Sequence, residues 1–150
     1  MPEEDIHCEI KIKRLHPAAR IPQREHPDDS GADLYSIVEC TLQPFERKVI
    51  PTGISAEIPA GFELQTRPKS GLALEHGITV LNTPGTIDSG YRGEIRVILI
   101  NLGSEPYRVE KGQKIAQLVV VPVAYANFQE VDELSESQRS TGGFGSTGLL

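Results

Sequence analysis

Tryptophan is absent from this 150-residue sequence, methionine occurs once, and cysteine only twice. Cys8 and Cys40 form neither a disulfide framework nor a CxxC metal pattern, so a reducing compartment is expected, and with it a cytoplasmic location. No apolar run reaches the roughly 18 residues of a membrane span, which removes a membrane partner. The opening Met1-Pro2-Glu3-Glu4-Asp5 is acidic, where a secretory signal would be basic and then apolar. Positive charge is scarce as well: 15 Lys and Arg stand against 21 Asp and Glu, a net charge of -6. A duplex nucleic-acid binder carries a basic face, so nucleic acid is excluded as a partner. No GxxxxGK[ST], HExxH or GxSxG string occurs, and His7, His16, His26 and His76 are scattered without metal-ligand spacing.

What remains is β-forming. The chain has 14 Ile and 10 Val against 9 Ala, with 11 Pro and 14 Gly as punctuation. Branched residues favour the pleated strand, and Pro and Gly interrupt helical patterns, so the class is all-β. Its length suits one domain, large enough to fold without disulfide or metal staples. Cys8 to Lys13 alternates strictly, placing Lys11 and Lys13 in water. After an irregular, proline-bearing loop from Pro17 to Asp29, short strands are expected over Asp33 to Val38, Arg47 to Ile50, Ser55 to Ile58 and Phe62 to Arg67. Pro44, Pro51, Pro59 and Gly61 separate them. That rhythm is the rhythm of a sandwich, jelly roll or barrel.

One short helix is expected from Ser70, as cap, through His76, with Gly77 as its stop. Two long strands, Ile78 to Asn82 and Glu94 to Leu102, then flank a hairpin whose tip is Asp88-Ser89-Gly90. Ile115 to Val123 contains Leu118-Val119-Val120-Val121, apolar on both faces, which points to a subunit contact. The boundaries are a β-domain over residues 1–131 and a C-terminal arm over 132–150, whose glycine-rich end reads as a flexible tail.

Three segments suit a phosphorylated ligand. Arg67-Pro68-Lys69-Ser70-Gly71 sets cations, a hydroxyl and a glycine amide at a helix start; it is either an anion site or an ordinary cap beside surface charge. Asp88, beside Tyr91 and Arg92, is either a turn residue or a holder of water for attack on phosphorus. Gly143-Phe144-Gly145-Ser146-Thr147-Gly148 matches GxGxxG, but without a flanking strand and helix it is no dinucleotide loop. It offers amides, two hydroxyls, a ring and, upstream, Arg139, the last cation of the chain.

In order along the chain, five segments resemble the motifs of the trimeric dUTPases. They are Ser30 to Leu34, Arg67 to Ala73, Leu81 to Glu94, Gly112 to Leu118 and Arg139 to Gly148. The resemblance implies a jelly-roll-like fold, a homotrimer with sites shared between subunits, and Mg²⁺-dependent hydrolysis of dUTP to dUMP and pyrophosphate. It implies that Asp88 orders and deprotonates the attacking water, and that Tyr91 packs under the deoxyribose. Asn82 and the backbone through Gly85, Thr86 and Ile87 would read the uracil. Lys69, Ser70, Gly71 and Gln117 would surround the phosphates. No side chain would bind the metal directly; the triphosphate would carry it, with Asp33 and Gln117 in support. Arg139, Ser146 and Thr147 would hold the γ-phosphate, while Phe144 and Gly145 cover the base. Two positions depart from the pattern: Lys69 stands where the family usually has Arg, and Ser140 where it usually has Gly. A lysine is a point charge and lacks the bidentate fork of arginine. The nearest rival on the same fold is a dCTP deaminase, against which the tyrosine-bearing hairpin and the complete tail argue.

Overall fold

Residues 7–150 are described by a computed structural model; the acidic run Met1 to Asp5 lies outside them. In chain order the elements are β1 (Lys11–Arg14), β2 (Gly31–Tyr35), β3 (Cys40–Leu42), β4 (Arg47–Glu57), β5 (Phe62–Arg67) and α1 (Ser70–His76). There follow β6 (Ile78–Val80), β7 (Gly85–Ile87), β8 (Glu94–Asn101), β9 (Tyr107–Val109) and β10 (Lys114–Pro122). One sheet has the order β1-β4-β8-β6, a second β2-β10-β5-β7, and β3 pairs with β9 alone. All the pairings are antiparallel.

The class follows from the residues. Ile95, Val97 and Leu99 alternate along β8 and are buried, and Ile50, Ile54, Leu34, Leu64 and Ile115 meet them in one core. Burial of such side chains stabilises by about 1.5–3 kcal/mol each, and no polar atom is stranded in doing so: among the described residues, no buried side-chain N or O lacks a partner. Buried Asn101 shows how. Its Nδ2 donates to Leu42 O at 3.0 Å and Glu105 O at 2.8 Å, and its Oδ1 accepts from Gly103 N at 2.8 Å, tying the β3–β9 pair to the first sheet.

Three local expectations are corrected. Pro51 does not separate two strands: β4 runs through it, and its register on β8 shifts between Pro51 and Ser55. Gly53 lies in that shift at φ 72°, so an irregularity absorbs the residue that cannot donate. The segment after Ile78 is not a simple two-strand hairpin either. β6 stays with β8 for three residues, whereas β7 crosses to the other sheet and pairs with β5, Gly85 opposite Thr66. Ser70 is the first helical residue and not the cap; Lys69 holds the cap position in an extended conformation with no side-chain cap bond. Gly77 does end the helix, at φ 69°, where a Cβ would come within 2.5 Å of Gly103 N.

Beyond β10, Val123 N donates to Gly61 O at 2.9 Å and the Tyr125 hydroxyl accepts from Gly61 N at 3.1 Å. Residues 126–150 hold no strand or helix and are almost wholly exposed.

Candidate active site

The second sheet brings distant segments side by side. Gln117 of β10 stands in register with Asp33 of β2 on one edge and Arg67 of β5 on the other. Its Nε2 donates to Pro68 O at 2.9 Å, and its side chain lies so close over Gly31 that a Cβ there would sit 1.9 Å from Oε1. Only glycine fits there while Gln117 keeps this rotamer and its bond to Pro68 O. Asp33 is buried, and its carboxylate accepts from Lys69 Nζ on one oxygen and lies 3.3 Å from Lys114 Nζ on the other. The hydrogen bond to Glu25, at 3.2 Å, and then that to Asp33 with its charge raise the Lys114 pKa above the usual lysine value. Glu25, Asp29, Ser30, Gly31, Asp33, Lys69 and Gln117 line a cavity of about 260 Å³. Ser70 and Gly71 follow Lys69 on the exposed first turn of α1.

A second cavity, of about 270 Å³, opens beside β7. Thr86, Ile87, Asp88 and Tyr91 form one wall, and Val49, Ile95 and Ile98 supply apolar surface from β4 and β8. Asp88 and Tyr91 are the first and last residues of a single turn, closed by Tyr91 N donating to Asp88 O at 3.0 Å. The Tyr91 hydroxyl donates to Glu94 O at 2.9 Å, and the ring lies against Gly93, where a Cβ would come within 2.4 Å of the hydroxyl. Only glycine leaves room for that ring. The Asn82 side-chain amide is close above Gly85, whose own lack of a Cβ accommodates Thr66 Oγ1 from β5. The Asp88 carboxylate is exposed, next to an aromatic face and an apolar wall. Chemically that is a place for a water and a proton acceptor beside a flat, partly apolar ligand.

Asp33, Lys69 and Gln117 are thus assembled in one cavity, and Thr86, Ile87, Asp88 and Tyr91 in another, while Asn82 and Gly85 lie close to each other and line neither. The tail residues are not brought to either. Arg139 Nε donates to Gly142 O at 2.9 Å, Ser146 N to Gly143 O at 2.9 Å, and Phe144 is fully exposed. Gly145 and Thr147 are likewise exposed. Sequence reasoning assigned no role to Lys114, which balances Asp33, or to the wall residues Val49, Ile95 and Ile98. Lys114 sits inside the fourth motif, but its partner is remote in sequence; Val49, Ile95 and Ile98 lie outside every motif.

A family model described as dUTPase matches residues 18–148. A deoxyuridine 5'-triphosphate nucleotidohydrolase of Clostridium novyi is 56% identical over 140 residues, 93% of this chain and 99% of that protein. One from Clostridioides difficile is also 56% identical, over 93% of this chain and 98% of its own. Among solved structures, a mutant Staphylococcus bacteriophage 80alpha dUTPase with dUpNHpp matches at a TM-score of 0.87 and 30% identity, covering 94% of this chain and 99% of that one. A mutant dUTPase from the S. aureus phage phi11, described with a structural Mg(II) ion, matches at 0.79 and 25% identity, over 86% of this chain and 100% of its own. This chain belongs to the dUTPase family.

Proposed function

We propose that the chain hydrolyses dUTP to dUMP and pyrophosphate by attack of water on the α-phosphorus. The observation that carries this reading is the single closed turn presenting the Asp88 carboxylate and the Tyr91 ring to one cavity. The water oxygen bonds to the α-phosphorus, its proton passes to Asp88, and the α,β-bridging P–O bond breaks with pyrophosphate leaving. Such displacement depends on positioning and charge stabilisation. Lys69, Ser70, Gly71 and Gln117 hold the phosphates, and Asn82 with the backbone through Gly85, Thr86 and Ile87 reads the uracil edge. Arg139, Ser146 and Thr147 grip the γ-phosphate as Phe144 and Gly145 close over the base. Physiologically, the reaction limits uracil incorporation into DNA and supplies dUMP for dTMP synthesis, in the cytoplasm.

Among the described residues, no group of three or more His, Cys, Asp or Glu is placed to hold a metal, and the Asp33 carboxylate is shared by two ammonium groups. These residues fit an ion that arrives on the triphosphate, with Asp33 and Gln117 supporting it indirectly. Mg²⁺ would supply neutralisation of the phosphate charge. The working unit is a homotrimer in which the arm, residues 132–150, serves a neighbouring site. Val120 on β10, and Tyr125, Phe128 and Val131 beyond it, offer exposed apolar surface for those contacts. A panel of dUTP, UTP, dCTP and dTTP with Mg²⁺, scored for pyrophosphate, tests the reading: dUTP should be strongly preferred. Equal turnover of all four, or ammonia release from dCTP, would defeat it.

Two substitutions follow directly. With the Tyr91 ring fixed between Gly93 and the Glu94 carbonyl, a 2′-hydroxyl must clash or go unpaired, at a cost of about 1–3 kcal/mol. Tyr91→Ala should narrow the dUTP/UTP ratio of kcat/KM about 10-fold or more; an unchanged ratio places discrimination elsewhere. Lys69→Arg should keep or improve affinity for dUpNHpp, whereas Lys69→Ala should weaken it by at least about 10-fold, the scale of one charge-assisted bond. Equal binding by the alanine variant in calorimetry would leave Lys69 as a partner of Asp33 alone.

A further inference from the structure

The turn bearing Asp88 and Tyr91 is bridged by a side chain that lines neither of the two cavities. Arg92 Nη1 donates to Ser89 O at 2.7 Å and to Tyr91 O at 3.3 Å. Its Nη2 lies 3.7 Å from Glu57 Oε1 at the end of β4, and Glu57 Oε2 lies 3.2 Å from Lys11 Nζ on β1. We propose that Arg92 is a positioning residue, a clamp that holds the Asp88 carboxylate and the Tyr91 ring in fixed relation; the proposal rests on the function given above.

The reasoning is geometric. Ser89 and Tyr91 are the second and fourth residues of the turn, so one guanidinium joins its tip to its exit. A planar group with several donors can serve both carbonyls and a carboxylate together, which an ammonium group on a flexible stem cannot do in the same arrangement. Apart from the Tyr91 N to Asp88 O bond that closes the turn, little packs on its tip: Gly90 is exposed, and a Cβ there would meet nothing within 4 Å. The ion pair itself is solvent-exposed, with 55% and 50% of the Arg92 and Glu57 side chains accessible, so it adds little to fold stability. Its effect falls on placement, where a shift of about 1 Å can cost about 100-fold in rate. Opening the turn displaces general base and sugar platform together. Turnover and discrimination against the 2′-hydroxyl should therefore fall in step, which a loss of folded protein cannot produce.

The test is steady-state kinetics on dUTP and UTP with Arg92→Ala, Arg92→Lys and Glu57→Gln, normalised to active sites, with Asp88→Asn alongside. Arg92→Ala should lower kcat for dUTP about 10- to 100-fold, change KM by less than about 3-fold, and reduce the dUTP/UTP ratio about 5-fold or more. Arg92→Lys should recover part of both losses, and Glu57→Gln should show a smaller drop in the same direction. If Arg92→Ala retains kcat and the ratio within about 2-fold while Asp88→Asn is inactive, the clamp is refuted and the hydrolytic assignment stands. Should the alanine variant not fold, wild-type kinetics in both Arg92→Lys and Glu57→Gln refute it equally. An active Asp88→Asn would assign the base elsewhere and overturn the clamp with it, whereas the hydrolytic assignment stands or falls on the nucleotide panel.

Discussion

Asp88→Asn is expected to bind dUTP nearly as well as the parent chain and to lose about 10²- to 10⁴-fold in single-turnover hydrolysis, the span of a general-base contribution. The substitution is unusually clean here. Asp88 closes its turn through the backbone carbonyl, which accepts from Tyr91 N, and the side chain is exposed. An amide of the same shape therefore leaves turn, ring and cavity in place and removes only the ability to take a proton. Rapid-quench hydrolysis within about 10-fold of wild type would assign the base elsewhere.

Removing residues 139–150 should have the second largest effect, a fall in kcat on the order of 100-fold, the scale of lost positioning. The β-domain should survive it, because the hydrogen bonds of Arg139, Ser146 and Gly148 stay within the tail itself. A segment so rich in glycine, with one exposed phenylalanine, cannot offset its ordering entropy alone. Nucleotide contacts would supply the difference, and closure would then exclude water other than the attacking one. Affinity for dUMP, which has no γ-phosphate, should change little. On the proposed homotrimer with shared sites, mixtures of tail-less and Asp88→Asn chains should regain part of the activity, the tail of one covering the Asp88 of another. No recovery after demonstrated subunit exchange would restrict each tail to its own site, and full activity of the truncated chain would remove its role.

Local signals were legible where the local chain decides. Phe62–Arg67 and the helix ending at His76 lie where the punctuation of Pro59, Gly61 and Gly77 placed them, because few alternatives satisfy those signals. Pro51 misled, since a missing donor ends a strand only if the strand cannot bulge, and Gly53 two residues on lets it. The destination of β7 was illegible: whether Gly85–Ile87 pairs with β5 or β8 depends on which sheet edge is open, a non-local matter. For the site, the motifs named the residues but not their electrostatics. That Lys69 and Lys114 divide the two oxygens of Asp33 is a consequence of strand order, invisible along the chain.

That strand order also has a bearing on biosynthesis. β10, the last strand, is inserted between β2 and β5, so two elements made early wait for a common neighbour made late. A nascent chain still on the ribosome before residue 114 has Asp33 without Lys114 or Gln117, and two sheet edges bare on their inner sides. Such edges pair with whatever strand is at hand, and pairing across long sequence separations is slow. A message cut short before codon 114 would thus direct not a feeble hydrolase but an edge-exposed fragment whose Asp33 cavity lacks Gln117, a natural client for chaperone or protease.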